Sequence, residues 1–275
     1  LSEGALLDEV VVVGYGIQKK SVVTGSIASL KTKDLENVPS ARVEQSLQGR
    51  VSGVTIAQNS GQPGSPSTIR IRGVTTFDNA GNNPLWVIDG VVVDAGGIGY
   101  LNQSDIESIE VLKDAASAAI YGTRAATGVI LVTTKKGKSG QLSINYNGFA
   151  GTSSPAKVLK LLNASQYAAL LNERSVAGGG DPVFQNINLG TGTDWQKQIF
   201  NYGAKRYSHE LSVSGGTEKS TFYVSAGLQD LEGIVASDIS TYNRKSIRLN
   251  STHKLSSVFT FGQTLGYAHT KDSGI

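Results

Sequence analysis

The sequence predicts two successive parts of different architecture, a small α+β unit followed by a run of long antiparallel strands. Three observations carry that reading. Through roughly the first half, short β-branched runs alternate with small helical stretches, and each run is bounded by Gly, Pro, Asn or Asp. In the second half the period changes to two, with apolar and polar side chains alternating over stretches of about ten residues. Ten residues is about the length a tilted strand needs to cross a bilayer, whereas soluble sandwich strands run nearer five or six. Strand length favours a transmembrane barrel, but period and length alone leave a soluble antiparallel sandwich open.

Composition narrows the classes. The 275 residues are 39% hydrophobic and 17% charged, with 33 Gly, 6 Pro, no Cys and no Met. That length admits one large domain or two of ordinary size. The 25 Lys and Arg against 22 Asp and Glu leave a formal charge of +3, too small and dispersed for a nucleic-acid footprint. Without Cys there is no disulfide scaffold, zinc ribbon or thiol catalysis. No run approaches 18 apolar residues, so no transmembrane helix is expected. No motif recurs at fixed period, which excludes a fibrous repeat. With no Met anywhere, the chain does not open on an initiator residue, and a mature or truncated product is expected.

Taken in order, the first half carries strand-like runs at 9–13, 54–56, 68–72, 86–88, 91–93, 106–112 and 128–134. A helix is expected over about 41–48, where Val43 and Leu47 share a face behind Pro39-Ser40. A second, Ala-rich helix covers about 115–121, with Asp114 as N-cap and Gly122 as stop. Ser104-Asp-Ile-Glu107 sets two rules in conflict. Its spacing is that of a capping box opening a helix over 105–121, yet Ile106, Ile109, Val111 and Leu112 have the density of a strand.

The two-faced strands of the second half are 142–150, 207–214, 220–229, 242–254 and 258–269. In 242–254, Ile247 and Leu249 face one way and Arg244, Arg248 and Asn250 the other. In 258–269 Gln263 is out of phase. The connections run long, short, medium, short: a stretch with an amphipathic helix near 164–174, a turn at 215–218, a loop about 231–241 and a turn about 255–257. That rhythm suits a barrel with long loops on one side of a membrane and tight turns on the other.

No enzyme site emerges. His209, His253 and His269 fall on separate strands without metal-ligand spacing. Glu107 and Glu110 have no nucleophile or His nearby in sequence, and Gly96-Gly-Ile-Gly99 opens no βαβ unit. Neither a metal nor a cofactor is expected.

Several motifs resemble one family in its own order. They are Leu7–Gly16, Gln48–Val54, Ile69-Arg-Ile-Arg-Gly73, Pro84-Leu-Trp-Val-Ile-Asp-Gly90, Asp105–Asp114 continuing through Ala118–Gly122 to Gly128–Thr134, and Leu211–Lys219. These are similar to the SusC/RagA-type TonB-dependent transporters of Bacteroidota outer membranes. The resemblance implies an α+β plug inside a large transmembrane β-barrel, 22-stranded in the family. It divides the chain into a linker with a Ton-box-like segment at 1–16, a plug domain at 17–137, and the first strands of an incomplete barrel at 138–275, about five of them. It also implies that 106–112 is a strand and only 114–121 helical. Five strands cannot close a barrel without exposing unpaired backbone to lipid, so further residues are expected.

The implied function is TonB-dependent import of glycans or oligopeptides across the outer membrane, beneath a SusD-like surface lipoprotein. A non-transporting scaffold barrel is the alternative within the same resemblance, and a soluble β-rich adhesin lies outside it. The Ton-box-like residues are Asp8, Glu9, Val10, Val11, Val12, Val13 and Gly14. An extended β-branched segment with a free edge can add a strand to the TonB C-terminal domain, and Gly14-Tyr-Gly16 would serve as a flexible stop. Alternation places Arg70 and Arg72 on one side of a strand, so Arg70, Arg72, Glu107, Glu110 and Arg124 are candidates for ion pairs between plug and barrel. Phe77, Asn79, Asn82 and Tyr100 are candidate substrate-facing residues of long plug loops. Outer-membrane lipid is the remaining expected partner, and no nucleic acid is.

Overall fold

The computed structural model describes residues 10–13, 16–19, 27–31, 42–77, 80–93, 95–114 and 119–274. The first half contains β1 (Val10–Val13), β2 (Gly16–Lys19), β3 (Ile27–Lys31), a one-turn helix α1 (Val43–Ser46), β4 (Val54–Gln58) and β5 (Ser67–Ile71). It continues with β6 (Leu85–Ile88), β7 (Val91–Val93), β8 (Ile106–Leu112) and β9 (Val129–Thr134). β1 pairs with β2 and β4 with β5, while the central sheet has the order β3-β8-β9-β6-β7. Within it only β6 and β9 run parallel.

Burial on both faces explains the continuous apolar runs of this sheet. Ile130 and Val132 of β9 join Trp86 and Ile88 of β6, Val43 and Leu47 beside α1, and Ile56, Ile69 and Ile71 of the β4–β5 hairpin. Val129 and Leu131 face the other way, onto Val87, Leu112, Tyr121 and Ala125. Trp86 is the largest wholly buried side chain.

The conflict at Ser104–Glu107 resolves as a strand. Residues 103–105 form a single 3-10 turn and β8 begins at Ile106. Ile106, Ile109, Val111 and Leu112 are wholly buried between sheet neighbours, and that tertiary burial outweighs a local cap. The expected helix over 115–121 falls partly outside the described residues. Ala119–Ala125 is 3-10 rather than α, interrupted at Gly122 with φ 70°. The expected 41–48 helix shrinks to α1. β2 and β3 had no counterpart in the sequence reading, because Gly16-Ile-Gln-Lys19 and Ile27-Ala-Ser-Leu-Lys31 lack the β-branched density of the other strands.

The second half is one open sheet of consecutive antiparallel neighbours: β10 (Gly140–Ser153), β11 (Ala204–Gly216), β12 (Ser220–Glu232), β13 (Thr241–Lys254) and β14 (Thr260–Ser273). Each has 13 or 14 residues, longer than the alternation alone suggested. Its polarity is inside out. Ile144, Tyr146, Leu211, Val224, Ile247, Leu265 and Tyr267 are exposed, while Arg244, Ser246, Arg248 and Asn250 are buried. Gln263 is paired with Ser251 in unbroken register and shares the outward side with Phe261 and Leu265, so the apparent phase slip is a polar residue in a regular strand. Short links at 217–219 and 255–259 lie on one rim. The 154–203 connection, with α2 (Ala164–Ala177) and α3 (Trp195–Ile199), and the 233–240 loop lie on the other. α2 starts where it does because Asn163 and Gln166 close a reciprocal capping box.

One carboxylate sits awkwardly in the central sheet. Glu110 of β8 lies opposite Leu131 and Ser29, 3% exposed, and its Oε2 has no partner. Burial pushes its pKa above the ordinary carboxylate value, against smaller opposing hydrogen bonds from Ser108 and its own backbone. A raised folded-state pKa means the unfolded chain releases the proton first, so stability falls as pH rises through the unfolded value near ~4.3. Glu110→Gln is therefore expected to slow amide hydrogen exchange in β8 and β9 of the full-length protein at pH 7. The difference from the parent should shrink as the pH is lowered towards 4, and an unchanged or inverted difference would refute the assignment.

Candidate functional site

The polar inward face of β13 needs partners, and the α+β unit supplies them. Arg244 donates through Nη1 to the carbonyls of Gly99 at 2.7 Å and Leu101 at 3.1 Å, and through Nη2 to Asn102 Oδ1 at 2.9 Å. Two residues along, Ser246 Oγ reaches the same Asn102 oxygen at 3.1 Å. Asn102 fits there because the neighbouring wall position on β12 is Gly227, where a Cβ would come within 2.5 Å of Asn102 Nδ2. Next, Arg248 sits between two carboxylates, with Nη1 3.8 Å from Asp89 Oδ2 and Nε 3.9 Å from Asp105 Oδ2. Asn250 ends the column, donating to Thr134 Oγ1 at 3.0 Å and to the Lys135 carbonyl at 2.7 Å.

Both carboxylates are held by the local fold. Asp89-Gly90 is the two-residue turn joining β6 to β7, with φ of 49° and 86°, the positive pair that a type I′ hairpin turn demands. That turn aims Asp89 across the sheet end, where it accepts from Thr134 N at 2.9 Å and Thr134 Oγ1 at 2.6 Å. Asp105 accepts from the Tyr223 hydroxyl of β12 at 2.8 Å, and its own carbonyl accepts from Lys135 N at 2.8 Å. Tyr100 lies beneath Arg248, with the guanidinium 6.0 Å from the ring centre.

This junction is chemically distinct from the core. The two large apolar clusters lie wholly within the α+β unit, and the wall's small cluster of Leu231 and Tyr242 is separate from both. Unit and wall are thus joined mainly by hydrogen bonds and by ion pairs beyond hydrogen-bond length, with one aromatic contact where the Tyr242 ring lies against Gly64. Each hydrogen bond is worth about 1 kcal/mol net because water can replace it. Such a joint holds firmly while dry and separates far more cheaply than an interdigitated core.

The expected site residues distribute differently. Val10–Val13 form β1, which pairs with Gly16–Lys19, so one edge of that segment is already occupied and Gly16 opens β2 rather than acting as a free spacer. Asp8, Glu9 and Gly14 lie outside the described residues. Arg70 donates to Asn83 Oδ1 at 2.6 Å. Arg72 leaves the strand alternation with φ 58° and pairs with Asp114 at 2.6 Å. Its expected position beside Arg70 is corrected, because β5 ends at Ile71 and the chain turns. Glu107 meets Lys138 at 3.5 Å, Glu110 is buried in the sheet, and Arg124 is exposed. Phe77 is fully exposed, as a ligand-contacting loop residue can be. Asn82 is not: it is 1% exposed and closes its own loop, accepting from Thr75 N and Thr76 N and donating to the Thr76 carbonyl. Asn79 lies outside the described residues.

Residues 19–129 match the TonB-dependent receptor plug domain. The chain is 42% identical over 239 residues to the TonB-dependent receptor SusC of Bacteroides thetaiotaomicron, an alignment covering 84% of this chain and 23% of that protein. A solved structure of the RagAB peptide importer in its open-open state superposes with a TM-score of 0.85 at 28% identity, over 97% of this chain and 33% of the other. This chain belongs to the SusC/RagA-type TonB-dependent receptors. A further relative, TonB-dependent receptor P26 of Formosa agariphila, is 38% identical over 268 residues, 96% of this chain and 27% of its own length. The unliganded ferric citrate transporter FecA, at 16% identity and TM-score 0.60 over 90% of this chain and 32% of its own, shares the fold. The chain spans about a quarter of the length of the curated relatives it matches. Its architecture is a plug domain followed by antiparallel strands of a barrel wall.

In this receptor Arg248 faces two plug carboxylates across the junction, and none of the three is more than 12% exposed. Removing the cation strands both acids without their counter-charge, a loss of about 3–5 kcal/mol by analogy with broken buried pairs. Arg248→Met in the full-length receptor is expected to leave the barrel assembled but loosen the plug. Limited proteolysis in detergent should then cut between residues 89 and 105 well before it does in the parent, and equal cleavage rates would show the pair to be idle.

Proposed function

We propose that this receptor is the plug and leading wall of an outer-membrane importer energised through TonB. Residues 1–16 are read as a linker with the Ton box, 17–137 as the plug and 138–275 as the first strands of the barrel. The observation that carries the proposal is the column Arg244, Ser246, Arg248 and Asn250, which binds the plug by contacts that water can replace. A permanent stopper would be better served by apolar packing. The inside-out polarity of the wall supports an outer-membrane location, with the long connections outside and the short ones in the periplasm.

In this reading Asp8–Gly14 is the TonB-binding segment. Among the described residues β1 pairs only with its hairpin partner β2, and strand addition at its other edge needs only backbone groups. One solved relative supports a peptide cargo, RagAB being a peptide importer. Glycans or oligopeptides, captured under a SusD-like lipoprotein, are the proposed substrates. Phe77 and Tyr100 are the proposed contacts on the plug.

Deleting residues 8–14 from the full-length receptor is expected to abolish energised uptake while heat-modifiable gel mobility shows an assembled barrel. Uptake that persists in the deletion would remove the Ton-box role. Assembly into an outer-membrane complex with no uptake by the parent protein would favour the scaffold reading.

A further inference from the structure

The outward face of the wall is apolar through its middle, but one level breaks the pattern. Register places Lys245 of β13 directly opposite His269 of β14, with Lys271 one outward position further along β14. Just below them, away from the 233–240 loop, the same face carries Ile247 opposite Tyr267, then Leu249 opposite Leu265. Ile247, Leu265 and Tyr267 are all well exposed. Lys245 thus faces an imidazole rather than a counter-charge, and a charge beside a lipid-facing band is costly unless it meets a polar partner at the interface. Lys245 and Lys271 make no ion pair among the described residues. The nearby carboxylate of Asp230 is taken by Asn243 Nδ2 at 3.2 Å.

A shallow groove adjoins this ledge, lined on the outer side by Tyr207, His209, Leu228, Asp230, Asn243 and Lys245. The Tyr146 hydroxyl lies 2.7 Å from His209 Nδ1. With the hydroxyl donating, the ring proton sits on Nε2 and that nitrogen is a donor. The groove therefore offers cations, an imidazole donor and an amide–carboxylate pair within one patch, immediately above exposed apolar side chains. We infer that Lys245, His269 and Lys271 bind the phosphate of an acylated, phosphorylated glycolipid of the outer leaflet. Its sugar hydroxyls lie against Asp230 and Asn243, and its acyl chains run down over Ile247, Tyr267 and Leu265. The Asp230–Asn243 pair is what favours a glycolipid. A carboxylate repels a bare anionic headgroup but accepts hydrogen bonds from sugar hydroxyls. The inference rests on the membrane placement proposed above.

The test uses full-length receptor purified from membranes in mild detergent, with retained lipid read by native mass spectrometry. The probes are lipid A, the same lipid with its phosphates removed, and phosphatidylglycerol. The parent is expected to retain lipid A, and Lys245→Gln with Lys271→Gln to retain it on the order of tenfold less. Dephosphorylated lipid should bind both proteins weakly and alike. Equal retention of lipid A by parent and double variant, or of the two lipid A forms by the parent, overturns the site. Phosphatidylglycerol held as firmly as lipid A overturns the glycolipid assignment. If the double variant fails to assemble, the single Lys245→Gln carries the comparison under the same criteria. Recovery of the parent outside the outer-membrane fraction would overturn the membrane placement itself, whereas an outer-membrane protein without lipid A preference loses only this site.

Discussion

The junction follows from one constraint, that a sheet with apolar side chains on its outward face must put its polar ones on the other. The wall satisfies its backbone by pairing each strand with the next in register. Its outer side chains are then free to be apolar, and its inner ones must find polar company. On β13 that company is the plug. Arg244, Arg248 and Asn250 owe both their burial and their partners to the segments 99–105 and 134–135. The plug in turn needs its own two-sided core, because a polar joint to the wall contributes little to its folding.

The plug sheet is accordingly self-sufficient. Its two apolar clusters sit on opposite faces and draw on no wall residue. Asp89 shows how the two demands are combined in one side chain. It closes the end of the sheet through Thr134 and presents its other face to Arg248. The strained φ of 49° at that turn is what allows one carboxylate to serve both. The same economy appears at Asn102, whose single oxygen receives both Arg244 and Ser246 in the space left by Gly227.

Much of this was legible in the sequence, and the omissions have physical causes. The wall strands were readable because period-two alternation survives whichever face is apolar. Arg244, Arg248 and Asn250 could be assigned to the side opposite Ile247 and Leu249 on that basis alone. Their partners could not, because Asp89 and Asp105 lie more than a hundred residues away in the chain and no local rule links them. β3 escaped because its pairing with β8 is supplied by the fold rather than by its own composition. Arg72 was misread because alternation assumes the strand continues, whereas the chain adopts a left-handed residue there. Asn82 has the composition of a ligand contact and spends its amide on its own loop.

The order of the plug sheet has a mechanical consequence. β3, the strand nearest the N-terminus in this sheet, lies at its edge. β9, which leads into the wall, lies at its centre and is anchored through Thr134 and Lys135 to Asn250. A tension applied to the chain ahead of β1 is therefore borne in series. The small β1–β2 hairpin carries it first, then the five-residue seam between β3 and β8, and the central strands only after those have parted. The molecule is built like a cord with its weakest stitches nearest the hand and its firmest knot at the wall.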